Sequence, residues 1–207
     1  MGRGRVLVVE DDPYALVRFE GEPLPSLYQL AGGKNVVHSF SFSKIAAPGL
    51  RVGYLVAQPA LIAKLEALAV QTYLAPSFLS QATVLEFVRR GALESSLSRI
   101  CELLRSRRDA MLDALEAHLP DATWSNPEGG YFLWLELPDA VSAGELLSRA
   151  ETEGVTFVKG SDFFPAGAGG RSSARLAYSF VSPADIGAGV ARLSALLAEF
   201  RPRAATV

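Results

Sequence analysis

The sequence predicts an α/β chain whose second half turns into a smaller α+β unit. Three short runs of apolar and β-branched residues, Val6–Val9, Asn35–Phe40 and Val52–Ala57, fall early, with loops and helical patterns between and after them. From about Glu94 one long amphipathic stretch intervenes, and beyond it strands and helices alternate at closer spacing. The composition agrees. With 49% hydrophobic and 20% charged residues, 207 positions suffice for one ordinary domain or two small ones with real cores, and a disordered chain is excluded.

Each element has its own signal. Residues 5–10 read as a buried strand, a short apolar run bounded by polar residues. Pro23 and Pro25 mark a loop, after which Ser26-Leu27 opens a short helix. Residues 35–41 and 52–57 read as the second and third strands. Pro59, at a first helical turn, begins an amphipathic stretch through Leu61, Leu65 and Leu68. A further helix runs from about Ser77 to Arg90 and stops at Gly91. The long helix spans about Glu94 to His118, with Leu97, Ile100, Leu104, Met111 and Leu115 as its apolar face and Pro120 beyond its end.

In the second half, residues 131–137 form a strand entered through Gly129-Gly130, 142–153 a helix and 155–158 a short strand. A loop with Gly160, Gly167, Gly169 and Gly170 follows, then a strand over 174–180. Ser182-Pro183-Ala184-Asp185 starts the last helix, which runs to about Phe200. A domain boundary is expected near 92–97.

Charge and cysteine usage narrow the function classes. A formal charge of −2 and a pI near 5.8 give no electrostatic case for nucleic acid or an anionic membrane. No apolar run approaches the ~20 residues that span a bilayer, and Met1-Gly2-Arg3-Gly4-Arg5 leads into a strand without a secretory h-region. The single cysteine, Cys101, fits a reducing cytosol, and its helical position suits a buried structural thiol. His38 and His118 stand alone, so metal catalysis is not expected. The expected compartment is the cytoplasm.

Chemistry concentrates at the strand ends. Lys44 closes Ser41-Phe42-Ser43-Lys44 after the second strand, and Tyr14 closes Asp11-Asp12-Pro13-Tyr14 after the first. Arg51 immediately precedes the third. An amine, a carboxylate with a phenol, a hydroxyl pair and a guanidinium suit a lysine that condenses with a phosphate-bearing aldehyde cofactor. Pyridoxal phosphate needs a carboxylate for its ring nitrogen, which Asp11 supplies, and a donor for its phenolate oxygen, which Tyr14 supplies. Its phosphate needs hydroxyls and a fork-shaped cation, offered by Ser41, Ser43 and Arg51. Loops beyond the carboxyl ends of strands are where α/β proteins bind ligands.

Each residue also has a plainer reading. Lys44 suits a solvated loop, Asp11 or Asp12 a turn cap before Pro13, and Tyr14 half-buried packing. Ser41 and Ser43 suit backbone satisfaction at a strand end, and Arg51 a surface ion pair. Arg175 competes with the nearby Arg171 for a ligand-facing role, and its apolar flanks favour Arg175. Ser41–Lys44 also satisfies Ser-x-x-Lys, the acylation motif of penicillin-binding folds, but it ends a strand and lacks the Ser-Asp-Asn and Lys-Thr-Gly partners. The loop Gly167–Gly170 links no strand to a helix and is no dinucleotide fingerprint.

Four blocks in order carry a resemblance. Glu10-Asp11-Asp12-Pro13-Tyr14, then Ser41-Phe42-Ser43-Lys44 running on through Pro48-Gly49-Leu50-Arg51-Val52-Gly53-Tyr54, then Pro127-Glu128-Gly129-Gly130-Tyr131-Phe132-Leu133-Trp134, then Arg175-Leu176-Ala177-Tyr178-Ser179-Phe180, resemble fold-type I PLP-dependent aminotransferases. The branch they resemble is the 2-aminoadipate and related broad-specificity aminotransferases of class I/II. The match covers nearly the whole chain. It implies the C-terminal part of a PLP-dependent transferase fold. Residues 1–95 are then the C-terminal part of the PLP-binding large domain, a partial mixed sheet, and 96–207 the small α+β domain.

Carried over, the resemblance implies that Lys44 binds the cofactor covalently and moves a proton, while Asp11 pairs with the pyridine nitrogen and Tyr14 bonds the ring oxygen. Ser41 and Arg51 hold phosphate, and Arg175 clamps the carboxylate of an amino acid or 2-oxo acid. The Gly129-Gly130 turn is brought near the substrate. A homodimer is expected, with no membrane and no nucleic acid bound by this chain itself.

The family's earlier glycine-containing phosphate loop, ring-stacking aromatic and asparagine have no counterpart here, since the match begins about six residues before Asp11. The chain therefore reads as a fragment, a truncated product or one piece of a split protein, with an open sheet edge and exposed apolar faces. Two rival classes share these motifs: an effector-sensing aminotransferase-like domain of a winged-helix transcription regulator, and a non-catalytic interaction protein. A relative with decarboxylase or β-lyase chemistry would carry them too.

Overall fold

The computed structural model describes residues 6–138 and 141–200, so the start of the first expected strand, Arg5, lies outside the described residues. The chain divides into two compact units after Cys101.

The first unit opens with β1 (Val8–Asp11) and a short helix, α1 (Leu27–Leu30), followed by β2 (Val36–Ser41) and β3 (Gly53–Val56). Helices α2 (Pro59–Thr72), α3 (Phe78–Arg89) and the start of α4 (Ala92–His118) complete it. Its sheet has the order β1-β2-β3, with β1 parallel to β2 and β3 antiparallel to it. The sequence signals explain the helix starts. Ser26 and Gln29 form a reciprocal capping box on α1, Pro59 occupies the first turn of α2, and the Ser77 hydroxyl accepts from Ser80 N at the head of α3.

Burial in this unit departs from expectation. The first strand is not a buried one: β1 pairs with β2 along one edge, and Val9 is 67% exposed. An apolar run specifies a strand that suits burial on both faces, but burial itself needs neighbouring layers, and sequence pattern cannot supply them. The same holds for α2, where Leu68 is 55% exposed, and for Phe78 on α3, at 84%. The buried residues are Val17, Phe19, Val36, Val37, Phe40, Ile45 and Val84.

In the second unit the remainder of α4 leads to β4 (Thr123–Trp124), β5 (Phe132–Glu136), α5 (Ala143–Thr152), β6 (Val158–Lys159), β7 (Ser173–Ala177) and α6 (Pro183–Phe200). The strands pair antiparallel in the order β4-β5-β7-β6. Strand β4 was not expected, because two residues carry no alternation to read. The strand expected over 155–158 shrinks to Val158–Lys159, and the glycine loop after it folds into two 3-10 turns, Gly160–Phe163 and Pro165–Gly167.

Alternation along β5 and β7 sorts the two sheet faces. Leu133, Leu135, Ala174 and Leu176 are buried, in a core shared with Met111 and Leu115 of α4, Leu146 of α5 and Ile186, Val190 and Leu193 of α6. Each large aliphatic side chain there contributes roughly 2 kcal/mol by leaving water. Phe132, Trp134 and Arg175 take the opposite face, with Trp134 and Arg175 in register.

Candidate active site

Strand topology gathers the first group of candidate residues. Because β1 and β2 are parallel, Asp11 at the end of β1 and Ser41 at the end of β2 lie along one sheet edge. Strand β3 runs back from that edge, pairing Gly53 with Ser41, so Arg51 just before it arrives at the same place. Phe42 N donates to Val52 O at 3.0 Å and fastens the two segments. A side chain on Gly53 would not fit: its Cβ would stand 2.6 Å from Phe40 O, which is backbone.

The turn from Phe42 to Lys44 is a 3-10 turn entered through Ser41, whose hydroxyl accepts from Ser43 N at 3.2 Å. Arg51 Nη1 donates to Ser43 Oγ at 3.3 Å. Arg51 itself adopts left-handed backbone, φ 54° and ψ 42°, a conformation that costs a non-glycine residue about 1–2 kcal/mol. Two hydroxyls and a guanidinium thus converge on one turn, the donor set of an oxyanion or phosphate site. Lys44 Nζ stands 5.9 Å from the centroid of the Tyr14 ring. Asp11 is exposed, while Tyr14, Ser41, Ser43 and Lys44 are half-buried. Among the described residues no cluster of His, Cys, Asp or Glu has the makings of a metal centre.

Next to Asp11, on the other face of β1, Glu10 has a structural role. Its carboxylate accepts from Leu27 N at 2.6 Å and Tyr28 N at 3.2 Å, and meets His38 Nδ1 at 3.0 Å. Burial raises the Glu10 carboxyl, but the hydrogen bonds from Leu27, His38 and Tyr28 together outweigh it and hold the group below the usual carboxylate range. Tyr54, on β3, is raised, first by burial and then by the Asp12 carboxylate. The pairing of Glu10 with His38 comes from strand register, which the sequence does not display.

The second unit carries Arg175. Its guanidinium packs against two aromatic rings, with Cζ 4.0 Å from the Phe132 centroid and 4.9 Å from that of Phe163. Trp134 meets Phe163 edge-on at 5.3 Å between centroids. Arg175 Nε is buried and has no hydrogen-bond partner. Sequence reasoning singled out Arg175 from its apolar flanks but not its ring partners, because Phe163 reaches it from a loop. Arg108 and the buried Tyr178 were also passed over. An arginine on a helix and a tyrosine after a strand carry no local signal of the Asn126–Gly130 turn, which Arg108 bonds at Asn126 and Pro127 and Tyr178 at Gly129 and Gly130. Burial pushes the Tyr178 phenol up to about 12, against a lowering by Arg108.

A family model described as Aminotransferase class I and II matches residues 2–193. The aromatic-amino-acid aminotransferase 1 of Thermococcus litoralis is 36% identical over 194 residues, 93% of this chain and 46% of its own length. The 2-aminoadipate transaminase of Thermus thermophilus is 40% identical over 201 residues, 95% of this chain and 50% of its own. An HTH-type transcriptional regulator, TauR of Rhodobacter capsulatus, is 36% identical over 94% of this chain and 40% of its own length. Among solved structures, the kynurenine aminotransferase of Pyrococcus horikoshii, in complex with PMP, superposes with a TM-score of 0.88 at 36% identity, over 93% of this chain and 48% of that one. The chain spans about half the length of the curated relatives it matches.

Proposed function

The chain belongs to the class I and class II aminotransferases, and from that premise we propose that its activity is the transfer of an amino group between an α-amino acid and a 2-oxo acid, with pyridoxal 5′-phosphate as cofactor. The observation that carries this reading is the Ser41–Ser43–Arg51 cluster built on the same turn as Lys44. Hydroxyls and a guanidinium fit a phosphate ester, and an amine beside them fits the cofactor's aldehyde. When bound, pyridoxal phosphate supplies an electron sink for the carbanion left at the substrate α-carbon.

The chain's own groups do the rest. Arg51, Ser41 and Ser43 hold the phosphate, and Asp11 keeps a pyridine nitrogen protonated. Tyr14 donates to the ring oxygen, and the Lys44 amine takes up and returns the proton at the substrate α-carbon. Arg175 binds the substrate carboxylate, a role supported by its unpartnered buried Nε and by the two rings beside its guanidinium. On this reading, residues 1–95 are the C-terminal part of the cofactor domain and 96–207 the small domain. A homodimer in the cytoplasm is part of the same proposal. No helix among the described residues is long and apolar enough to cross a membrane.

A second reading is favoured by one observation, the match to a transcriptional regulator at an identity equal to that of an enzyme. In it the same residues bind cofactor and sense an effector. The test common to both is titration of the purified chain with pyridoxal phosphate, borohydride reduction and peptide mass spectrometry. The expected result is a pyridoxyl adduct on Lys44, absent from Lys44→Ala. No adduct on a folded chain sinks the cofactor assignment for these residues. Turnover of amino donors by the loaded protein then separates enzyme from sensor.

A further inference from the structure

We propose that Tyr178 and Arg108 are positioning residues for Arg175: they fix the Asn126–Gly130 turn, and the turn fixes the Phe132 ring against the guanidinium. This inference rests on the reading of Arg175 as the carboxylate-binding residue.

Tyr178 has no exposed surface, and its hydroxyl is turned to backbone. It shares one proton between two successive carbonyls, Gly129 O at 3.2 Å and Gly130 O at 3.1 Å. Phenylalanine would fill the same volume, so the hydroxyl serves the turn. Arg108 grips the other end. Its side chain is 4% exposed, and Nη1 donates to Pro127 O at 2.7 Å and Asn126 Oδ1 at 3.3 Å, while Nε donates to Asp109 Oδ1 at 2.7 Å. A buried cation is a demanding way to satisfy a loop carbonyl, since removing it strands that carbonyl. Two buried polar side chains from different elements thus converge on five consecutive residues.

The grip continues into the strand. Tyr178 N donates to Tyr131 O at 3.1 Å, and Phe132, one residue on, is in register with Ala177. The Phe132 ring is the nearer of the two that pack against the Arg175 guanidinium. Rings hold a guanidinium by its faces and leave its edge for a planar carboxylate, so a shift in the ring plane misdirects the fork. Misplacement by about 1 Å is enough to lower a catalytic rate by roughly a hundredfold.

The test is the rate at which phenylglyoxal modifies individual arginines of the 207-residue chain, followed by peptide mass spectrometry. Tyr178→Phe removes only the hydroxyl. Gly130→Ala strains the turn, because Gly130 sits at φ +80° while a Cβ there meets nothing within 4 Å. Both variants are expected to raise modification of Arg175 about fivefold, the equivalent of one lost ring contact, and to leave exposed Arg90 unchanged. An unchanged Arg175 rate in either folded variant overturns the proposal. So does an equal acceleration of amide exchange throughout α6, which reports general loosening. Protection of Arg175 by 2-oxoglutarate in the parent chain tests the carboxylate reading separately: faster labelling in the variants without such protection in the parent retains the positioning role and refutes the ligand.

Discussion

Tyr178 shows how a single buried hydroxyl ties stability to pH. Its phenol is pushed up to about 12 by burial, against an ordinary value of 10 in the unfolded chain. The native state therefore keeps its proton where the unfolded state has released it. The contribution is fully present below pH 10 and falls as the unfolded phenol ionises. It is lost once pH passes about 12 and the folded phenol ionises as well. The gap between the folded and unfolded phenols corresponds to about 2–3 kcal/mol. Urea melts of the parent chain and Tyr178→Phe at pH 8, 10 and 11.5 check this. At pH 8 the variant is less stable by about 1 kcal/mol, the net worth of a hydrogen bond. The difference closes or inverts by pH 11.5, because phenylalanine has no proton to lose. A difference independent of pH would refute the raised phenol.

Among the elements, the β2–β3 pair has the most to lose, since it alone brings Ser41, Ser43 and Arg51 together. Gly53→Ala forces a methyl to 2.6 Å from Phe40 O, and backbone cannot turn aside as a side chain does. The expected cost is about 1–3 kcal/mol, typical of overpacking, with weaker uptake of pyridoxal phosphate measured by absorbance. Gly49→Ala, whose Cβ meets nothing within 4 Å, is the control and should change neither. Elements of this kind were legible in the sequence where a local rule governs them. Capping serines at Ser26 and Ser77 and the proline at 59 mark helix starts within a residue or so of where they fall. The motif residues around Lys44 were legible because they sit at strand ends, which periodicity locates. What was not legible is non-local: the exposure of β1, the two-residue β4, the ring of Phe163 over Arg175 and the Tyr178 bond to a turn 48 residues away. Each depends on which segments meet, and no window of sequence encodes that.

Across the whole molecule the two units differ sharply in how much apolar surface they hide. Among the described residues, seven buried hydrophobic side chains belong to the first unit and twenty-one to the second. The first unit also exposes Val6, Leu7, Val9, Leu55, Phe78 and Leu79. Burial supplies most of the drive to fold, while backbone entropy opposes it at about 1–2 kcal/mol per residue in both units alike. The units should therefore differ in stability, and a single cooperative transition is not expected. Hydrogen exchange followed by mass spectrometry should find amides of β1, β2 and β3 exchanging well before those of β5 and β7. Urea unfolding should show an early phase on far-UV circular dichroism that leaves the fluorescence of Trp124 and Trp134, both in the second unit, unchanged. If the two probes report one coincident transition, the units are coupled more tightly than their separate cores can explain. Pyridoxal phosphate at saturating concentration gives the decisive contrast. A ligand stabilises what it binds by RT ln(1 + [L]/Kd), so at a hundred times Kd the phase it belongs to gains about 2.7 kcal/mol. With Lys44, Arg51 and both serines in the first unit, the early transition should move to higher urea while the later one stays in place. A shift confined to the later phase would locate the cofactor away from the Lys44 turn.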